Sequence, residues 1–190
     1  MFAGRYKAAG YAADYTLCGQ QGSSVTSPSL RAELSFRLRA GAPRAWNAFT
    51  ELWIAFNALY GGEADAKERA RVMRAVRRYI PRRDAANILH RTSQSIERIV
   101  SLPPGSMRRE AWDPRFRSAS KRCVSIYRSR TETPEGRLAG VAGVLYQVRS
   151  NLVHASKDPR NARDRMLVRE SLVVLRELVP ALERAMRGVA

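Results

Sequence analysis

Two cysteines, two histidines and four lysines are all that this chain of 190 residues holds of three residue types from which sites are commonly built. Cys18 and Cys123 stand far apart without CxxC spacing, which argues against a thiolate metal site or a redox pair and fits a reducing cytoplasm. His90 and His154, with no carboxylate cluster beside them, cannot assemble three metal ligands, so neither a metal nor another cofactor is expected. Long apolar runs are missing as well. No window approaches the ~18 consecutive apolar residues that span a bilayer, and no membrane partner is expected. Asp14 interrupts the one apolar stretch near the N-terminus, and Leu17-Cys18 lacks the small residues of a lipoprotein cleavage site, which argues against a signal peptide. No segment alternates with period two, and no internal repeat is evident.

Acidic residues are scarce relative to basic ones. Thirty-four Lys+Arg face seventeen Asp+Glu, a formal charge of +17 at pH 7. Such a balance points to a polyanion, nucleic acid or an anionic surface, rather than to the metabolism of acidic small molecules. The charge is regional: residues 67–130 hold eighteen Lys+Arg and five Asp+Glu, or +13. A hydrophobic content of 45% argues against a wholly disordered chain, and the length fits one domain of about 100–200 residues.

Residues 1–27, rich in Gly, Ala, Ser and Tyr, read as a flexible arm, and residues 28–190 as one helical domain. Leu30, Leu34 and Leu38 predict a helix that stops before Gly41-Ala42-Pro43. Over 44–60, Trp46, Phe49, Trp53, Phe56 and Tyr60 fall on one helical face, with Gly61-Gly62 as the stop. An aromatic stripe with few basic residues between its members belongs in the core of a bundle. Asn57 beside it reads either as a buried hydrogen-bonding residue or as part of a polar site. Helices are further predicted over 65–80, 84–100 after the break at Pro81, near 115–129, 135–154 behind Thr133-Pro134, and about 161–187. The fold class is all-α, a helical bundle. Lys67, Arg71, Arg74, Arg78 and Arg82 line up at spacings of four, three, four and four. That stripe reads either as a phosphate track or as a solvated helix face.

The search for an acid or base active near neutral pH is short. His154 follows the last apolar residue of its helix, where the dipole favours the charged imidazole. Arg149 precedes it by five residues, about 7.5 Å along the axis and roughly 140° around an ideal helix. The two converge on one group if Arg149 reaches along the axis, if the last turn loosens, or if a second subunit completes the site. Arg83 and His90 form a second Arg–His pair at looser spacing. Thirty arginines make such coincidences frequent, and His90 reads as a surface or packing residue. Taken alone, Arg149 and His154 also read as an acid-paired Arg and a helix-end His.

Tyr146-Gln147-Val148-Arg149-Ser150-Asn151-Leu152-Val153-His154-Ala155-Ser156-Lys157 resembles the signature of HEPN domains, helical domains found in many RNases and toxin–antitoxin systems. Leu52-Trp53-Ile54-Ala55-Phe56-Asn57-Ala58-Leu59-Tyr60-Gly61-Gly62, about ninety residues earlier, is similar to the first core helix of HEPN proteins of the Apea-like kind. The resemblance covers roughly residues 30–187. It implies a homodimer in which Arg149 and His154 of both subunits line one cleft and cut RNA without a metal. The products would be a 2′,3′-cyclic phosphate and a 5′-hydroxyl. Position 150 departs from the pattern, with Ser where the family most often has Asn, Asp or His, and Asn151 is the candidate to take over that polar role. Ser156 stands where one toxin branch carries Tyr, so modification there by a nucleotidyltransferase is not implied.

Arg149 and His154 are therefore the expected catalytic pair, supported by Ser150, Asn151 and Asn57. Lys157 joins the basic stripe as a contact to phosphate or solvent. RNA and a second copy of the chain are the expected partners, with an antitoxin protein as a further candidate. The alternative is a non-catalytic helical module binding RNA, a nucleotide or a protein. DNA binding ranks lower, because no helix-turn-helix spacing stands out.

Overall fold

The computed structural model describes residues 44–60, 67–106, 113–153 and 161–188. They form seven helices and no strand: α1 (Arg44–Tyr60), α2 (Glu68–Tyr79), α3 (Arg82–Arg91), α4 (Ser93–Ser101), α5 (Ser118–Arg128), α6 (Pro134–Val153) and α7 (Ala162–Arg187). The fold is all-α. Among the described residues no helix is long and apolar enough to cross a membrane. The predicted arm at 1–27 and the helix through Leu30, Leu34 and Leu38 lie outside the described residues.

The aromatic stripe of α1 points inward, as its spacing predicts. Trp46, Phe49, Trp53, Phe56 and Tyr60 are all buried. Phe49 stacks on Trp53 at 6.0 Å between ring centroids, Trp53 meets Phe56 edge to face at 5.3 Å, and Phe56 meets Tyr60 at 5.1 Å. Offset and edge-to-face pairs of this kind contribute about 0.5–1.5 kcal/mol each beyond the area they bury. This face packs chiefly on α7, whose Leu167, Leu172, Leu175, Leu178 and Leu182 are also buried. Asn161 caps α7, its side-chain oxygen accepting from the backbone N–H of Arg163 at 2.9 Å and of Asp164 at 3.3 Å.

α6 is the central helix, packed against α2, α3 and α5. Its leucine and valine spacing describes one inward face, yet Ala139, Ala142, Gly140 and Gly143 are buried as well, so it is enclosed on nearly every side. The glycines let α5 approach. A Cβ on Gly140 would lie 2.7 Å from the carbonyl oxygen of Cys123 and 2.9 Å from the amide nitrogen of Tyr127. Thr133 accepts from the N–H of Gly136 at 3.2 Å and opens the helix as the Thr-Pro pair predicts.

One expectation needs correction. The single helix predicted over 84–100 is two helices, α3 and α4, separated at Thr92. The Thr92 hydroxyl donates to the Ile88 carbonyl at 2.7 Å from a buried position, and its backbone leaves the helical region at ψ 11°. A side chain that bonds back to its own helix competes with the regular ladder and bends it.

Candidate nucleic-acid interface

The last two turns of α6 present different residues to different neighbours. Successive residues on a helix are rotated by about 100°, so Gln147, Arg149, Ser150 and Asn151 cannot share one surface. Gln147 and Ser150 face a cleft of about 630 Å³ whose other walls come from the start of α2, the loop before α5 and α5 itself. Among the described residues, Lys67, Arg69 and Arg122 contribute three cations to its lining, against the single carboxylate of Glu68. Ser106 and Ser150 add hydroxyls, and Tyr146 adds an aromatic ring.

Arg69 is held in place from two sides. Its guanidinium lies over the Tyr146 ring at 5.2 Å and donates to the side-chain oxygen of Gln147. Gln147 in turn donates to Asn151 Oδ1 at 2.8 Å, and Asn151 Nδ2 donates to the carbonyl of Gly105 at 3.0 Å. A polar chain thus runs from α2 through α6 to the loop at 102–106. That loop is tied again by Arg163, which donates to the carbonyls of Leu102 and Pro103, each at 3.3 Å. Behind the cleft, burial pushes the Cys123 thiol above its ordinary pKa, and the charges of Arg69 and Arg122 oppose that rise from nearby.

Arg149 turns to the other side. It shares a pocket of about 220 Å³ with Phe49, Trp53, Ile54, Asn57 and Leu152. Its Nη1 donates to Glu68 Oε2 at 3.2 Å, and Tyr60 donates its hydroxyl to Glu68 Oε1 at 3.3 Å. Burial, reinforced by the Glu68 charge, holds the Tyr60 phenol well above its ordinary pKa, so it remains a donor. The Arg149 Nε is buried and has no hydrogen-bond partner among the described residues.

The residues singled out by sequence are therefore distributed. Asn57 and Arg149 share the smaller pocket, with Asn57 exposed rather than packed. Ser150 and Lys67 line the larger cleft. Asn151 is buried at 5% exposure, with both ends of its amide engaged in the frame. His154 and Lys157 lie outside the described residues. The stripe of five cations does not continue as one line. Lys67, Arg71, Arg74 and Arg78 belong to α2 and its cap, with Arg78 stacked over Tyr79 at 5.3 Å, whereas Arg82 opens α3 beyond Pro81.

Sequence reasoning passed over Arg69, Arg122 and Tyr146. Arg69 had a signal, because it stands four residues before Met73 on the face that leads to Val76 and Ile80. An arginine in line with an apolar face must find a partner there, and Tyr146 with Gln147 supplies it. Arg122 had no local signal, since its role depends on where α5 docks. Among the described residues no group of three or more His, Cys, Asp or Glu side chains gathers as a metal site. No protein-family model, curated protein or solved structure matches the chain.

Proposed function

We propose that this protein is a metal-independent endoribonuclease of the HEPN type, acting as a homodimer in the cytoplasm with Arg149 and His154 of each copy around one scissile phosphate. A toxin or defence role, with an antitoxin protein as partner, belongs to the same reading. The observation that carries it is the position of the last turns of α6, which send Ser150 and Gln147 into a cleft lined by Lys67, Arg69 and Arg122 and Arg149 into the smaller pocket beside it. Cationic side chains suited to phosphate thus flank the helix end that leads into His154. In the reaction, His154 takes the proton of the ribose 2′-hydroxyl or returns one to the leaving 5′-oxygen. Arg149 stabilises the extra negative charge on the phosphorus-bound oxygens.

The test is incubation of mixed RNAs with wild type and with His154→Ala in the presence of EDTA. Wild type is expected to cut and leave cyclic phosphate and 5′-hydroxyl ends. The variant is expected to lose about 10²–10⁴-fold in rate, the usual worth of a positioned acid or base, with its helical circular dichroism unchanged. Undiminished cleavage by His154→Ala overturns the mechanism.

A second reading has its own observation. The ion pair with Glu68 gives the Arg149 guanidinium a partner inside the fold, which favours a non-catalytic module that holds RNA, a nucleotide or a protein. That reading predicts salt-sensitive RNA binding by wild type with the RNA intact after long incubation.

A further inference from the structure

The larger cleft has a composition that the cleavage chemistry does not require. Among the described residues three cationic side chains face one carboxylate, and that carboxylate, Glu68, is turned toward Arg149 and Tyr60. The remaining positive charge of Lys67, Arg69 and Arg122 is concentrated in a space of about 630 Å³, within the range of small-molecule sites. Arg69 is held by two contacts within the fold. One face of its guanidinium is covered by Tyr146 and its edge is fixed by Gln147, so the plane is oriented before any ligand arrives. A fixed guanidinium plane stacks on a nucleobase, and unattached cations beside it pair with phosphate.

In three other hollows a cation is already engaged within the fold; beside Trp46, Arg169 pairs with Glu170 at 2.9 Å. Near His90, the cation is Arg137, whose Nε donates to the Tyr127 carbonyl at 2.8 Å and whose guanidinium lies over the Tyr127 ring. Between α3 and α7, Arg91 pairs with Glu177 at 3.4 Å, in a hollow that Asp84 and Arg184 also line.

We infer that the cleft between α2, α5 and α6 is a nucleotide subsite, in which Lys67 and Arg122 pair with a phosphate and Arg69, backed by Tyr146, stacks on the attached base. The inference rests on the RNA-handling reading above and adds where the strand is gripped. The same chemistry recognises a nucleotide within an RNA strand or a free nucleotide.

Binding is measured by fluorescence anisotropy with a labelled 2′-O-methyl oligoribonucleotide, which has no free 2′-hydroxyl and cannot be cut by this chemistry. AMP serves as competitor. Arg122→Ala removes an exposed side chain and is expected to weaken oligonucleotide binding roughly tenfold, the worth of one charge-assisted contact. Its salt slope should become shallower by about 0.7, the value for one phosphate contact on a single strand. Arg69→Lys keeps the charge and loses the plane, so affinity falls while the salt slope stays. Arg176→Ala, an exposed arginine on α7, changes binding less than twofold. Competition by AMP assigns the site to a single nucleotide, and binding of the oligonucleotide that AMP does not displace assigns it to a strand. Equal losses in Arg122→Ala and Arg176→Ala overturn the inference, because they mean diffuse attraction to net charge, and so does failure of wild type to bind either probe. Should wild type bind the oligonucleotide through Arg122 yet leave ordinary RNA intact, the nuclease reading fails and the subsite stands.

Discussion

Asn151 is the candidate to take over the role of the Asn, Asp or His that position 150 does not have, and replacing it separates a chemical role from a structural one. In Asn151→Ala, two hydrogen bonds are lost at a position only 5% exposed, those to Gln147 Nε2 and the Gly105 carbonyl. Both partners are then left without that contact in the interior, and each orphaned buried group costs about 1–3 kcal/mol. Alanine recovers on the order of 0.5 kcal/mol through its helix propensity. The expected loss is about 1.5–5.5 kcal/mol, a large part of the ~5–15 kcal/mol that holds a typical domain together. For a protein of this size that corresponds to a melting temperature lower by roughly 3–20 °C.

Urea denaturation followed by circular dichroism, with a thermal scan as a cross-check, reads this change directly. The loop at 102–106 loses its tie to α6 but keeps those from Arg163 and from the Ser106 N–H to the Phe116 carbonyl, so the bundle stays folded at room temperature. A destabilisation below about 0.5 kcal/mol, combined with complete loss of RNA cleavage, would refute this reasoning. Asn151 would then act on substrate and not on the frame.

Gly140→Ala tests the close approach of α5 to α6. Alanine in an unobstructed helix interior stabilises by about 1 kcal/mol over glycine, whereas here its methyl group meets backbone atoms of Cys123 and Tyr127 below 3.0 Å, so a net loss of about 1–3 kcal/mol is expected. A gain in denaturation midpoint would show that the two helices separate easily. Glu170 supplies a pH prediction. Burial alone would raise its pKa, but hydrogen bonds from Ser95, Arg169 and Arg98 outweigh burial and hold it below the ordinary carboxylate range. A depressed folded-state pKa means the contribution is complete above the unfolded value of about 4.3 and disappears as pH falls through the folded value. The stability of wild type relative to Glu170→Gln, measured by urea titration at pH 7 and then in steps below pH 4.3, should therefore shrink on acidification. A difference independent of pH would count against the carboxylate being the stabilising form.

The helices most legible in the sequence were those whose apolar faces are built from large side chains. The five aromatics of α1 and the leucines of α7 announce their buried faces because each covers much area at a spacing that only a helix satisfies. α6 was legible as a helix but not as the centre of the bundle, since glycine and alanine pack by letting a neighbour close and leave no apolar stripe to count. The division at Thr92 was missed because one buried hydroxyl bonding to Ile88 does not interrupt hydrophobic spacing. For the site, Arg149 and Ser150 could be placed on the last turns of a helix, whereas their assignment to separate pockets depends on which helices dock on either side. The break at Pro81 is legible in the sequence, and it sets Arg82 on another helix even though the spacing of the five cations runs on through it.

The ion pair between Arg149 and Glu68 does not by itself decide between cutting RNA and merely holding it. Its side chains retain 27% and 21% of their exposure, so water screens the attraction. A partly exposed pair of this kind contributes on the order of 1 kcal/mol. A phosphodiester offers two charged oxygens to the same guanidinium, and planar, forked donors bind phosphate as readily as carboxylate. Exchange would not strand Glu68, because Tyr60 still donates to its other oxygen. The Nε of Arg149, buried without a partner among the described residues, is a donor that the Glu68 contact leaves unused. On the nuclease reading proposed above, the pairing has the energetics of a resting position from which an incoming phosphate recruits Arg149 at little cost, and cleavage turns on whether His154 reaches that same phosphate.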